Sequence, residues 1–261
     1  MALDLDLALA TARRAVEAAS TASLAHFRRG VRVEVKPDRT PVTAADRDAE
    51  AAVVAAVREA FPSHAILGEE SGAHAGDAAT RWIVDPIDGT RGFTRGGSFW
   101  GPLVALEHEG VVVAGAMAMP ALGETYWAAR GRGAWMSRDG GAPTPLRVSG
   151  VGDWAESSLS FGEFRGVFAP ERERAVLALC RTAAQARCYG DLAGAAMVLT
   201  GRAEAWIEAG VQVWDIAPLL VLAEEAGGRF TDLDGGAVGL GTTTVLASNG
   251  ALHETVLAAL R

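Results

Sequence analysis

The stretch Trp82-Ile83-Val84-Asp85-Pro86-Ile87-Asp88-Gly89-Thr90 constrains this chain more than any other. Its three leading apolar residues suit a strand lying in a sheet core, and then the pattern breaks. Pro86 has no N–H to give to a ladder, and Gly89 permits backbone angles that other residues avoid. The strand is expected to stop here and turn. Asp85 and Asp88, across that turn, can aim at one point, where two carboxylates repel each other unless a cation or a proton neutralises them. With no Cys or His in the stretch, hard oxygen ligands favour Mg2+ or Mn2+ over zinc.

The rest of the composition fits an enzyme-sized globular protein. A chain of 261 residues, 49% hydrophobic and 21% charged, can bury a large core as one domain or as two closely packed halves. Its formal charge of -8 and the lack of a Lys/Arg run argue against a nucleic-acid partner. A small anionic substrate would need local help from metal ions, helix N-termini or a few arginines. The segment Met1 to Ala8 carries acids where a signal peptide carries basic residues, and no stretch has the length of a membrane span. A cytoplasmic protein without membrane partners is expected. Cys180 and Cys188 lack metal-site spacing and are expected to be reduced and interior.

Periodicity predicts a helix over residues 3 to 29, a strand over 31 to 35, a loop over 36 to 41, and a second helix from a Thr43 cap to about Ala60. A short strand at 65 to 67 leads to Gly68-Glu69-Glu70. From Trp100 to Met136, runs separated by Glu109-Gly110, Leu122-Gly123 and Arg130-Gly131 predict an antiparallel meander. The second half alternates: strand 157–161, helix 171–183, strand 185–188, helix 191–201, strand 204–207, helix 215–226, strands near 229–231 and 244–247, and a last helix capped by Asn249. The expected division is 1–140, helices with an antiparallel sheet and the metal motifs, and 141–261, an α/β half. The two form one compact unit with the active site between them.

Glu69, Asp85, Asp88 and Asp215 all fall at element ends, which suits a shared cleft. Any one of them, taken alone, also reads as a surface turn residue or a helix cap, Asp215 before Ile216-Ala217-Pro218 especially. The 85–90 turn is harder to explain that way, because a plain turn does not need two acids, a proline and a hydroxyl after a buried strand.

Gly68-Glu69-Glu70-Ser71, the Trp82 to Thr90 stretch, Val213-Trp214-Asp215-Ile216-Ala217 and Glu225-Ala226-Gly227-Gly228 resemble, in order, the motifs of the inositol monophosphatase family. The likeness runs from Val42-Thr43-Ala44-Ala45-Asp46 to Ala247-Ser248-Asn249. It implies an alternating α/β/α/β/α layered sandwich and a Mg2+-dependent, lithium-sensitive phosphomonoesterase, usually a homodimer. Carried over, it makes Glu69, Asp85 and the Ile87 carbonyl ligands of one metal and Asp85, Asp88 and Asp215 ligands of a second. Asp46 falls near a weaker third, so two or three Mg2+, or Mn2+, are implied. Thr90 and Glu69 would orient the metal-activated water, and the N–H groups of Gly89 and Thr90 would grip phosphate. The five histidines are scattered and are expected to be structural or surface residues.

Thr90-Arg91-Gly92-Phe93-Thr94-Arg95-Gly96-Gly97, Phe99-Trp100-Gly101 and Tyr126 to Gly133 resemble the histidinol-phosphatase branch. Pro41 stands where inositol enzymes often have Asp, and Gly92 where they usually have Asn. Phe93, Phe99 and Trp100 read equally as core packing. Asp191 and Glu208 are candidate substrate contacts: histidinol phosphate carries an amine and an imidazole, which two carboxylates complement, whereas an inositol ring offers hydroxyls. Asp191 also reads as a helix N-cap, and Glu208 matches the family position that contacts inositol hydroxyls. Arg187 would pair with Asp191 or with phosphate. The expected reaction is hydrolysis of L-histidinol phosphate, with inositol-1-phosphate hydrolysis as the alternative and a catalytically silent phosphate-ligand-binding protein as the alternative of another class.

Overall fold

The computed structural model describes residues 3–30, 32–36 and 41–261. Helix α1 (Leu5–His26) starts at Asp4, whose carboxylate accepts the Asp6 and Leu7 N–H groups. Its buried stripe of Ala8, Ala12, Ala15, Val16 and Ala19 keeps three- and four-residue spacing, so small side chains let a second helix approach closely. Strands β1 (Glu34–Val35) and β2 (Pro41–Val42) form a short antiparallel pair. Val31 and residues 37–40 of the predicted strand and loop lie outside the described residues. Helix α2 (Ala44–Ala60) opens with the expected Thr43 cap, and Asp46 accepts the Thr43 N–H in return at 2.7 Å.

The first sheet holds β3 (His64–Gly68), β4 (Gly72–His74), β5 (Asp77–Asp88), β6 (Gly101–His108), β7 (Val111–Met119), β8 (Glu124–Ala129), β9 (Ala134–Arg138) and β10 (Thr144–Pro145). A five-residue helix α3 (Thr90–Thr94) follows β5. Strand order is β10-β9-β8-β7-β6-β5-β3-β4, antiparallel except for β3 on β5, so the predicted meander is present.

The second half runs β11 (Ser158–Phe161), α4 (Phe164–Val167), α5 (Glu173–Thr182), β12 (Gln185–Arg187), α6 (Asp191–Leu199), β13 (Ala205–Ala209), α7 (Val213–Glu225), β14 (Arg229–Thr231), β15 (Thr244–Ser248) and α8 (His253–Leu260). Its five strands pair in the order β12-β11-β13-β15-β14.

Side-chain alternation makes the layers. On β5, Trp82 and Val84 pack toward α1 and α2, while Ile83 packs with α6 and α7. On β13, Trp206 joins that same central core, while Ala205 and Ile207 join Val176 of α5 and Val256 of α8. Both sheets are thus covered on both faces, giving the expected α/β/α/β/α sandwich. Removing a side chain such as Ile83, which is fully buried, costs about 2–5 kcal/mol.

Several expectations need correction. β5 does not stop at Pro86; it continues to Asp88 through a register shift between Asp85 and Asp88, which lets the ladder with β6 skip the residue that cannot donate. The chain turns at Gly89, with φ +79°. The α7 helix begins at Val213, two residues before Asp215, and Asn249 caps the turn before α8 by accepting the Leu252 N–H at 3.1 Å. Cys180 and Cys188 are both free thiols, but Cys188 is exposed rather than interior. No helix among the described residues is long and apolar enough to cross a membrane.

Candidate active site

The bulged end of β5 and the start of α7 bring three acids together. Carboxylate oxygens of Asp85, Asp88 and Asp215 lie within 4.8 Å of one another. Each is fixed by a backbone amide: Ile87 N–H donates to Asp85 at 2.9 Å, Leu192 N–H to Asp88 at 2.6 Å and Gln212 N–H to Asp215 at 2.7 Å. The last bond shows that Asp215 is not the N-cap itself but the residue that answers it from the first turn. Burial, with the surrounding negative charge of Glu69, Asp215 and Asp88, holds the Asp85 carboxyl well above the usual carboxylate range. Burial and the charge of Asp191 and Asp215 do the same to Asp88, and burial pushes Asp215 up to about 7. Carboxyls raised together in this way form an all-oxygen donor set whose repulsion a divalent cation would relieve, so the residues fit Mg2+ or Mn2+.

Around this trio, β3 delivers Glu69, whose N–H donates to the Val84 carbonyl at 3.1 Å. Glu69 lines a cavity of about 360 Å³ together with Asp85, Ile87, Asp88, Gly89, Thr90, Asp191, Glu208 and Asp215. Lys36 reaches the Glu69 carboxylate at 2.9 Å and Glu70 at 2.7 Å. Burial pulls the Lys36 ammonium down, but its bonds to Glu70 and Glu69 outweigh this and raise it. Glu70 is pushed up to about 7, chiefly by burial. The Thr90 hydroxyl lies 2.9 Å from the Ile87 carbonyl and 3.4 Å from Asp46 Oδ1. Asp46 is itself buried, which raises it against the bonds from Thr43.

Two further acids line the cavity. Glu208 is buried, and its carboxylate accepts the N–H groups of Glu163 at 2.6 Å, Ala209 at 3.2 Å and Asp191 at 3.3 Å. Burial nonetheless pushes it up to about 7. Asp191 is not the N-cap of α6, a place taken by Gly190; it is the first helical residue, with φ +54°, a left-handed conformation that Asp adopts more readily than most side chains. Burial raises its carboxyl as well.

The sequence pattern of the inositol monophosphatase family matches residues 4–261. The chain belongs to that family. A histidinol-phosphatase of Mycobacterium tuberculosis is 43% identical over 260 residues, 98% of this chain and 97% of that protein. An inositol-1-monophosphatase of Mesorhizobium japonicum is 34% identical over 238 residues, 88% of this chain and 86% of that protein. Among solved structures, the extragenic suppressor protein suhB of Bartonella henselae superimposes with a TM-score of 0.88 at 28% identity, over 97% of each chain.

The inositol monophosphatase family is one of metal-dependent phosphomonoesterases. Of the residues read from its motifs, the structure gathers Glu69, Asp85, Ile87, Asp88, Gly89, Thr90, Asp191, Glu208 and Asp215 on one cavity, with Asp46 behind Thr90. Arg187 departs from expectation: it is exposed on β12 and donates to the Ala186 carbonyl at 2.8 Å, outside that cavity's lining. Phe93 and Trp100 pack in the core with Phe27, whereas Phe99 is 47% exposed beside Tyr189. Sequence reading missed Lys36 and Glu163; Lys36 meets Glu69 across 33 positions, a distance no local pattern spans.

Proposed function

We propose that this chain hydrolyses L-histidinol phosphate to L-histidinol and phosphate with Mg2+. The observation that carries the substrate reading is one cavity lined by two groups of acids. Asp85, Asp88 and Asp215 cluster together, and Asp191 and Glu208 line the same cavity beside them. The first group suits divalent cations; the second suits the amine and imidazole of the leaving group by charge-assisted hydrogen bonds. The inositol alternative offers that second group only neutral hydroxyls, and the histidinol-phosphatase relative is also the more similar of the two compared.

Glu69, Asp85, the Ile87 carbonyl, Asp88 and Asp215 would hold two Mg2+ ions, with Asp46 near a third. When bound, Mg2+ would supply Lewis acidity toward water and positive charge to stabilise the leaving oxygen. The chain's own groups do the rest. Thr90 gives its single hydroxyl proton toward Ile87 or Asp46, so its lone pairs face outward to accept a hydrogen bond from the attacking water. Glu69 stands on the same cavity to take or relay that water's proton. The N–H groups of Gly89 and Thr90, at the opening of α3, would hold phosphate oxygens. Asp191 and Glu208 would orient the leaving alcohol through its amine.

The reading includes a homodimer in the cytoplasm, with residues 1–140 and 141–261 acting as one unit around the site. The family resemblance supports the dimer. The test is phosphate release from L-histidinol phosphate and from inositol 1-phosphate at matched concentrations with Mg2+. A preference for the former of about 100-fold in kcat/KM, roughly 2.7 kcal/mol, is expected. A preference for inositol 1-phosphate would leave the metal site standing and sink the substrate reading.

A further inference from the structure

Among the buried acids that take no part in the chemistry above is Glu50. Glu50 on α2 is 3% exposed and lies one helical turn beyond Asp46. Its carboxylate spans the turn after β3: Oε2 accepts the Glu70 N–H at 2.9 Å and Oε1 the Ser71 N–H at 2.8 Å. On the opposite side of Glu69, Gly68 makes room for the same group. A Cβ built there would lie 2.6 to 2.7 Å from the Glu50 carboxyl carbon and both its oxygens. Gly68 has no positive φ, so clearance for Glu50, not backbone angle, is what calls for glycine at this position.

We propose that Glu50 is a positioning residue, whose carboxylate clamps the turn from Gly68 to Ser71 and thereby aims Glu69 at the metal. The inference rests on the reading of Glu69 as a metal ligand. Both bonds come from amides directly after Glu69, and Gly68 directly precedes it, so the clamp brackets that residue on both sides. An ionised carboxylate accepts at both oxygens, as two converging N–H groups require. An amide accepts at one atom only and turns a donor toward the other N–H, so the turn has to shift. Asp46, a turn earlier on α2, touches Thr90, so the same rigid helix braces both Glu69 and Thr90.

The test compares full-length Glu50→Gln, Gly68→Ala and Glu69→Gln with the parent chain. Mg2+ affinity is measured by calorimetric titration without substrate, and folding by the thermal transition in chelator. Glu50→Gln is expected to weaken Mg2+ binding about 10- to 100-fold, with KM at saturating Mg2+ changing less than about twofold. Gly68→Ala pushes the same carboxylate from the other side without removing it. It should act in the same direction, and the double variant should be no worse than the more severe single one. If Glu69→Gln loses Mg2+ affinity while folded Glu50→Gln and Gly68→Ala keep it, the clamp is wrong and the ligand reading survives. If Glu69→Gln keeps full affinity, the ligand reading fails and takes the clamp with it. Should Glu50→Gln not fold, Gly68→Ala decides alone.

Discussion

Asp88 accepts the backbone N–H of Leu192 at 2.6 Å, which ties the acidic turn at the end of β5 to the residue that follows Asp191 at the head of α6. This bond joins β5 of the first sheet to α6 of the second half and so couples the placement of Asp88 to that of Asp191.

Asp191→Asn separates charge recognition from that coupling, since it keeps the shape and removes the charge. Losing one charge-assisted hydrogen bond, worth about 1.5–3 kcal/mol, should lower kcat/KM for L-histidinol phosphate about 10- to 100-fold, mostly through KM. A neutral sugar phosphate should be little affected. Steady-state kinetics on the two esters check this; equal losses would remove Asp191 from substrate recognition.

The acidic cluster sets a pH dependence whose sign is fixed. Burial raises Asp215 from 3.8 and Glu208 from 4.5, each to about 7, so between those values the folded metal-free chain holds more protons than the unfolded one. Stability is then greatest below about pH 4 for these groups and falls as pH rises through 7. The melting temperature in chelator should drop from pH 6.5 to pH 8, and excess Mg2+ should cancel the drop by binding only the folded state. A metal-free melting temperature that rises over this interval would contradict the picture.

His253 behaves oppositely. It is fully buried, 2.7 Å from the Ser248 hydroxyl and 3.0 Å from that of Thr231, and burial lowers it from 6.5 to about 4. Its neutral form is favoured in the fold, so its contribution is complete above pH 6.5 and is lost as pH falls through 4. An NMR titration should find the His253 ring neutral at pH 5. A midpoint near 6.5 would show that the hydroxyl pair does not enclose it.

Gly89 carries two constraints at once. Its φ is +79°, and a Cβ there would sit 2.7 Å from the Phe99 carbonyl oxygen. Gly89→Ala should cost at least about 1 kcal/mol in chemical denaturation and lower kcat sharply, because the displaced turn carries Asp88 and Thr90. Wild-type kcat in a folded Gly89→Ala protein would mean that this turn does not hold the phosphate.

Most of the layered fold was legible because its signals are local. The Thr43 cap, the Gly-punctuated meander and the Trp82–Val84 strand each announce themselves within a few residues. The acids of the site were legible too, since Asp85 and Asp88 share one turn and Asp215 follows Val213 and Trp214. What was hidden depends on distant partners. Pro86 reads as a strand end, but the ladder with β6 resumes at Asp88 opposite Gly101, which only the register of the partner strand reveals. Glu50 carries no local signal, and its role emerges only where β3 lies beside α2; Lys36 reads as a loop residue until it meets Glu69 and Glu70. Arg187 failed for the converse reason: closeness in sequence to Asp191 does not fix the direction of an exposed side chain on an edge strand.

The most direct measurement is phosphate release from L-histidinol phosphate as Mg2+ is titrated into chelator-treated protein, with Asp85→Asn alongside. Asp85 sits among Glu69, Asp88 and Asp215, so its loss weakens the whole oxygen donor set. Turnover should appear with added Mg2+ in the parent chain and be absent from Asp85→Asn, beyond about 1000-fold lower. Phosphate release that ignores Mg2+, or that survives in Asp85→Asn, would contradict the account.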